Sequence, residues 1–150
     1  MAEQPPKSGR IVVGVDGSDA SKRALRWGVR YARLTGDAVT AVTAWDFPSM
    51  HGARWLPPSS TDAAALEDRS RKSLTDAVAE VAGAPGPAEV EADVRYGSPA
   101  GVLLDAAKGA SLLVVGSRGL GGVSGLLLGS VAQLCVQRAD CPVLVIRGDG

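Results

Sequence analysis

The sequence predicts a doubly wound α/β domain built on a five-stranded parallel sheet with four helices. Three observations lead there. Apolar runs with few charges recur at 10–16, 38–45, 111–116 and 142–147, the pattern of parallel strands buried on both faces. Segments with helical spacing of apolar residues lie between them, so strand and helix alternate along the chain. Glycine, proline and serine punctuate the junctions.

In chain order, residues 1–9 (MAEQPPKSG) read as a mobile polar tail, followed by one domain over 10–147 and a short C-terminal tail at 148–150. The first strand, RIVVGVD, closes on Asp16-Gly17-Ser18, where Ser18 or Asp19 can cap the next helix. In that helix Ala20, Ala24, Trp27, Tyr31 and Leu34 recur at helical spacing, which predicts that this stripe lies on the sheet, with Gly36 as the stop. Residues 46–61, after the second strand, hold three prolines and the sole histidine, His51. They read as an irregular connection or flap, where Trp55, or Trp45 just before it, either packs beside a ligand or pins the loop. Residues 62–82 form the longest helical pattern, with Ala63, Leu66, Ser70, Leu74, Ala77 and Val81 on one face and mixed charges on the other. Residues 89–96 alternate polar and apolar, as in an edge strand partly open to water. Ser98 and Pro99 then suit the N-cap and first position of a helix that runs to Lys108. The last helix, 129–139, spaces Val131, Leu134, Cys135 and Arg138, and leads to the fifth strand at 142–147.

Composition narrows the function. Hydrophobic residues at 45% and charged residues at 21% are ordinary for a globular chain. A formal net charge of zero and a pI of 6.6 argue against nucleic acid or an anionic membrane as partner. No apolar run reaches transmembrane length, and the first residues lack the apolar core of a signal peptide. Two cysteines, Cys135 and Cys141, are too few for a disulfide scaffold and are expected as buried free thiols in a reducing cytoplasm.

The most informative stretch is LLVVGSRGLGGVSGLLLGSV, residues 112–131: a buried strand, a glycine-rich loop and the start of a helix. Glycine lets a backbone approach a ligand closely, and the first amides of a helix lack intrahelical partners and carry the positive end of its dipole. Together these make a site for an anion, most simply phosphate. The stretch lacks the Gly-Lys-Ser/Thr of a P-loop, and Ser124 stands where a dinucleotide fingerprint needs its third glycine. Strand order in such a sheet reverses between the first and fourth strands, and ligands bind at the carboxyl ends there, so the loops after Asp16 and Gly116 are predicted to meet.

Gly116-x2-Gly119-x9-Gly129-Ser130 resembles the ATP-binding signature of the universal stress protein family, and the opening IVVGVDGSDAS and the ending CPVLVIR are in that family's style. The resemblance implies a Rossmann-like sandwich with strand order 3-2-1-4-5, a cytoplasmic location, ATP as ligand, and a homodimer paired through the last strand. It further implies that Asp16 faces the ribose and Ala44 the adenine. Gly116, with Val115 before it, Arg118 and Gly119 would line the phosphates, while Gly129, Ser130 and Val131 present amides and a hydroxyl to them. Asp16 could also hold magnesium through water, or simply cap the helix. Ser130 could cap its helix, donate to a phosphate, or both, and Arg118 could pair with a phosphate or stay on the surface.

With no histidine or phosphate-loop lysine near this site, the chain lacks a positioned base beyond Asp16. The expectation is therefore a nucleotide-dependent regulatory dimer in the stress response, with at most weak ATP hydrolysis. Two alternatives stay open: an enzyme of the same architecture that cleaves ATP at the α-phosphate, and an interaction module that binds no nucleotide.

Overall fold

Alternate side chains of a strand point to opposite faces of its sheet, and the central strands here are apolar on both. The computed structural model describes residues 9–46, 60–82, 90–117 and 128–147. Its elements run β1 (Arg10–Gly14), α1 (Asp19–Thr35), β2 (Ala38–Trp45), α2 (Ser60–Ala82), β3 (Val90–Tyr96), α3 (Pro99–Ala106), β4 (Leu112–Gly116), α4 (Ser130–Arg138) and β5 (Val143–Ile146). All pairings are parallel and the order is β3-β2-β1-β4-β5, as the family resemblance implies.

Two cores flank the sheet. Ile11, Val13, Val39, Ala41 and Val114 point to the side covered by α1 and α2, against Leu25, Val29 and Leu74. Val12, Val42, Leu113 and Val115 point to the other side, against Val102 and Leu103 of α3 and Ala132 and Cys135 of α4. The helix that follows β1 and the helix that follows β4 therefore lie on opposite faces, which opens the sheet between those strands at their carboxyl ends.

The buried face of α1 corrects the expected stripe. Ser21, Ala24, Leu25, Gly28, Val29 and Ala32 face the sheet, whereas Trp27 and Tyr31 are more than one-third exposed and Leu34 is 79% exposed. The reason is close approach. A Cβ on Gly28 would stand 2.7 Å from Cγ2 of Val13, so no side chain fits at that position and the row of Ser21, Ala24, Gly28 and Ala32 lies close on the sheet. The displaced aromatics stack on one another outside, with ring centroids 5.2 Å apart. In α2 the expected face is the observed one: Leu74 and Ala77 are buried, and Ala63, Leu66, Ser70 and Val81 half-buried.

Helix ends follow their caps. Ser18 accepts from the Ser21 amide at 3.1 Å and Gly36 closes α1 in the left-handed region at φ 81°. Ser98 caps α3, with Pro99 in the first turn. That helix ends at Ala106, short of Lys108, and Arg10 donates to the carbonyls of Ala106 and Lys108 at 3.0 and 3.1 Å. β1 likewise stops before Asp16. The Val15 amide still donates to Val42 at 2.9 Å, but the buried Thr43 hydroxyl occupies the Val15 carbonyl.

Candidate functional site at the carboxyl ends of the central strands

Register brings the predicted residues to one end of the sheet. Val13 pairs with Ala41 on one side and Val114 on the other, so β1, β2 and β4 end at Gly14, Trp45 and Gly116 on the same edge, with Asp16 just past the end of β1. Asp16 is exposed at the rim. Its carboxylate accepts from the Ser18 amide at 2.9 Å and its own amide donates to the Ser21 hydroxyl at 3.2 Å, which orients the turn. Gly17 follows at φ 87°, a conformation that favours glycine. Asp16 does not cap α1: Ser18 is the N-cap, and Asp16 instead holds the turn that leads to it.

Ala44 is half-buried against the α3/α4 core. Trp45, next to it, packs edge-on against Tyr96 at 4.8 Å between ring centroids. Val115 is 3% exposed and belongs to the core, so only its backbone is available to a ligand. Gly116 has a structural reason of its own: a Cβ there would lie 3.0 Å from Cβ and 3.1 Å from the carbonyl carbon of Ala20 in the first turn of α1.

At the far end of the glycine loop, Gly129 is the N-cap of α4 and no side chain caps the helix. Ser130 is therefore the first helical residue rather than the cap, and it is exposed, while Val131 is half-buried against the core. The Gly129 amide donates to the Ser117 carbonyl at 2.6 Å, which leaves the helix start at Ser130 and Val131 as the place for an anion. Ser117 is the site residue that sequence reading misses. It is 5% exposed, its amide donates to Ile146 at 2.8 Å, and its carbonyl receives Gly129, so one residue joins both ends of the loop to β5. Arg118 and Gly119 lie outside the described residues, as do His51, Trp55 and the remaining loop glycines.

Cys135 is fully buried, and burial, with Cys141 nearby, pushes its thiol up to about 11. Cys141 is only half-buried, not buried as expected, and burial raises its thiol as well. Among the described residues no three His, Cys, Asp or Glu side chains gather to hold a metal ion, and no helix is long and apolar enough to cross a membrane.

A family model for the universal stress protein family matches residues 7–147. The chain belongs to the universal stress protein family. It is 33% identical over 151 residues to universal stress protein Rv2005c of Mycobacterium tuberculosis, which covers 97% of this chain and 50% of that protein. The chain thus spans about half the length of the curated relatives it matches. Among solved structures it resembles universal stress protein UspA from Lactobacillus plantarum, at 27% identity and a TM-score of 0.77, covering 95% of this chain and 100% of that one. It is also similar to a universal stress protein solved in complex with cAMP, at 30% identity and a TM-score of 0.68, covering 92% and 96% of the two chains.

Proposed function

We propose that this universal stress protein is a nucleotide-dependent regulatory protein that binds ATP at the carboxyl ends of β1 and β4. The observation that carries the reading is the strand-order reversal there, with Asp16 on one side and the side-chain-free start of α4 on the other. The relative solved with cAMP supports an adenine nucleotide as the ligand class.

The residues fit such a ligand. The exposed Asp16 carboxylate can accept from ribose hydroxyls, and the exposed Ser130 hydroxyl and the first amides of α4 can donate to phosphate. Magnesium is commonly held by one or two carboxylates together with substrate phosphates, so Asp16 alone suits a water-mediated contact and not a protein-only metal site. Micromolar affinity corresponds to about −8 kcal/mol. A helix terminus contributes at most ~2 kcal/mol of that, so adenine burial beside Ala44 and the loop amides supply the rest.

With Asp16 the one carboxylate assigned to the site, the same reading makes the protein a binder with at most weak hydrolysis, acting in the cytoplasm. β5 lies at a sheet edge with all four residues half-buried, which supports a homodimer formed through residues 142–147. The interaction-module alternative draws support from one observation, the Gly129 amide already satisfied by Ser117. Calorimetric titration of nucleotide-stripped protein with ATP, with and without magnesium, separates the readings. Binding with intact ATP recovered supports the proposal, AMP release favours the α-phosphate enzyme, and no binding favours the interaction module.

A further inference from the structure

Two helices, α1 and α2, cover one face of the sheet, and among the described residues no helix lies beyond α1 toward β5. α2 packs on β2 and β3, whereas α1 packs on β1 and β4 and reaches β5 with its far side. The two flanks of α1 differ in chemistry. The one toward α2 carries Lys22 and Arg26, both bridged to Glu80. Residues three and four apart share a helix face, so the opposite flank is Ala20, Ala24, Trp27 and Tyr31, which bears no charge. Trp27 and Tyr31 are each more than one-third exposed and stack on one another. Register fixes where they stand. A Cβ on Gly28 would meet Val13, Val13 aligns with Val114, and Val114 aligns with Leu144. Trp27 is therefore level with Leu144, near the middle of β5. Leu144 and Ile146 point to this same face and are only half-buried. Wall and floor make an apolar step beside the edge of the sheet.

The occupant that fits this step is a second copy of the chain. The four residues of β5 offer about 13 Å of edge at ~3.3 Å each. A stable interface buries about 1,200–2,000 Å² in all, which one short strand pair does not supply. Antiparallel pairing of β5 with its own copy sets the twofold axis across the sheet, so both copies of α1 stand on the same side of the joined sheet. α1 is centred between β1 and β4, hence about four strand spacings, ~19 Å, separate the two helices. A helix with its side chains is about 10–12 Å across, which leaves a gap of about 8 Å above the paired strands. Large side chains are needed to close it, and Trp27 and Tyr31 are the large ones on this flank. Its lack of charge also suits a twofold contact, where like charges would otherwise face each other.

We propose that Trp27 and Tyr31 of two copies meet over the paired β5 strands and form the apolar centre of the homodimer. This rests on the edge-strand homodimer proposed above. The test is sedimentation equilibrium of the whole chain over a range of concentrations, for the wild type, Trp27→Gln, Tyr31→Gln, Trp27→Phe and, as a control on the outer face of α1, Leu34→Gln. The wild type is expected to dimerise. Each glutamine variant of the aromatic pair weakens dimerisation by about thirtyfold, as for loss of an aromatic hot spot, while Trp27→Phe recovers most of the loss. Leu34→Gln, at a position 79% exposed, matches the wild type. Glutamine is a good helix former, so circular dichroism should show helix content unchanged; if one aromatic variant loses helix, the other carries the test. A wild-type dimer that neither aromatic substitution weakens, or that Leu34→Gln weakens as much, overturns the proposal while the edge-strand dimer stands. A wild type that stays monomeric at every concentration overturns both and leaves the step to a different partner.

Discussion

The two ends of the sheet are built differently. At the amino end, side chains lock together segments distant in sequence. Asp37 accepts from the Gly9 amide at 2.7 Å and the Ser111 hydroxyl at 3.3 Å, Ser111 donates to Arg10 at 3.0 Å, and Arg10 closes the end of α3. At the carboxyl end of β1, Asp16 and Ser21 hold the turn, Thr43 donates to the Val15 carbonyl, and Asp16 and Ser130 are exposed. Long-range side-chain bonds thus knit the amino end, while Asp16 and Ser130 are exposed at the carboxyl end, where a ligand can reach them. At the open end Gly17 allows a tight turn and Gly116 a close approach to α1.

The comparison can be broken at three places. The largest effect is expected for Gly116→Val, because even a Cβ meets the backbone of Ala20 at 3.1 Å. Urea denaturation should show a loss of about 2–3 kcal/mol, typical of overpacking, and no loss would mean that β4 and α1 are free to separate. Asp37→Ala should cost about 1–2 kcal/mol through loss of the charge-assisted bond from the Gly9 amide, with ATP affinity unchanged; a parallel fall in affinity would show that the two ends are coupled. The smallest stability effect is expected for Asp16→Asn, within about 0.5 kcal/mol, since an amide oxygen still accepts from the Ser18 amide. Its ATP affinity should nevertheless fall severalfold, and an unchanged affinity would remove Asp16 from the ribose.

Much of the fold was legible because strand and helix periods differ. β2 matches its sequence span, and the alternation at 89–96 marked β3 as an edge strand. The face of α1 was misread because hydrophobicity favours Trp27 and Tyr31, whereas a close seam selects small side chains. Ser21, Ala24, Gly28 and Ala32, also at helical spacing, were the available signal. At the site, Asp16 and Ser130 were readable as exposed polar residues at strand and helix ends. Ser117 was not, because its role lies in bonds to Gly129 and Ile146 that exist only once β5 is in place. Gly116 was readable as a glycine needed there, but its contact with Ala20 comes from the packing of α1 on β4.

The central claim is that the open end of the sheet binds ATP through the glycine loop and the start of α4. Its most direct test is an ATP titration of nucleotide-stripped wild type beside Gly119→Ala and Gly129→Ala. Gly129 sits at φ −71°, so alanine is conformationally compatible there and the variant should fold. The account predicts binding to the wild type and its loss in both variants with the fold retained. Unchanged affinity in both would contradict it.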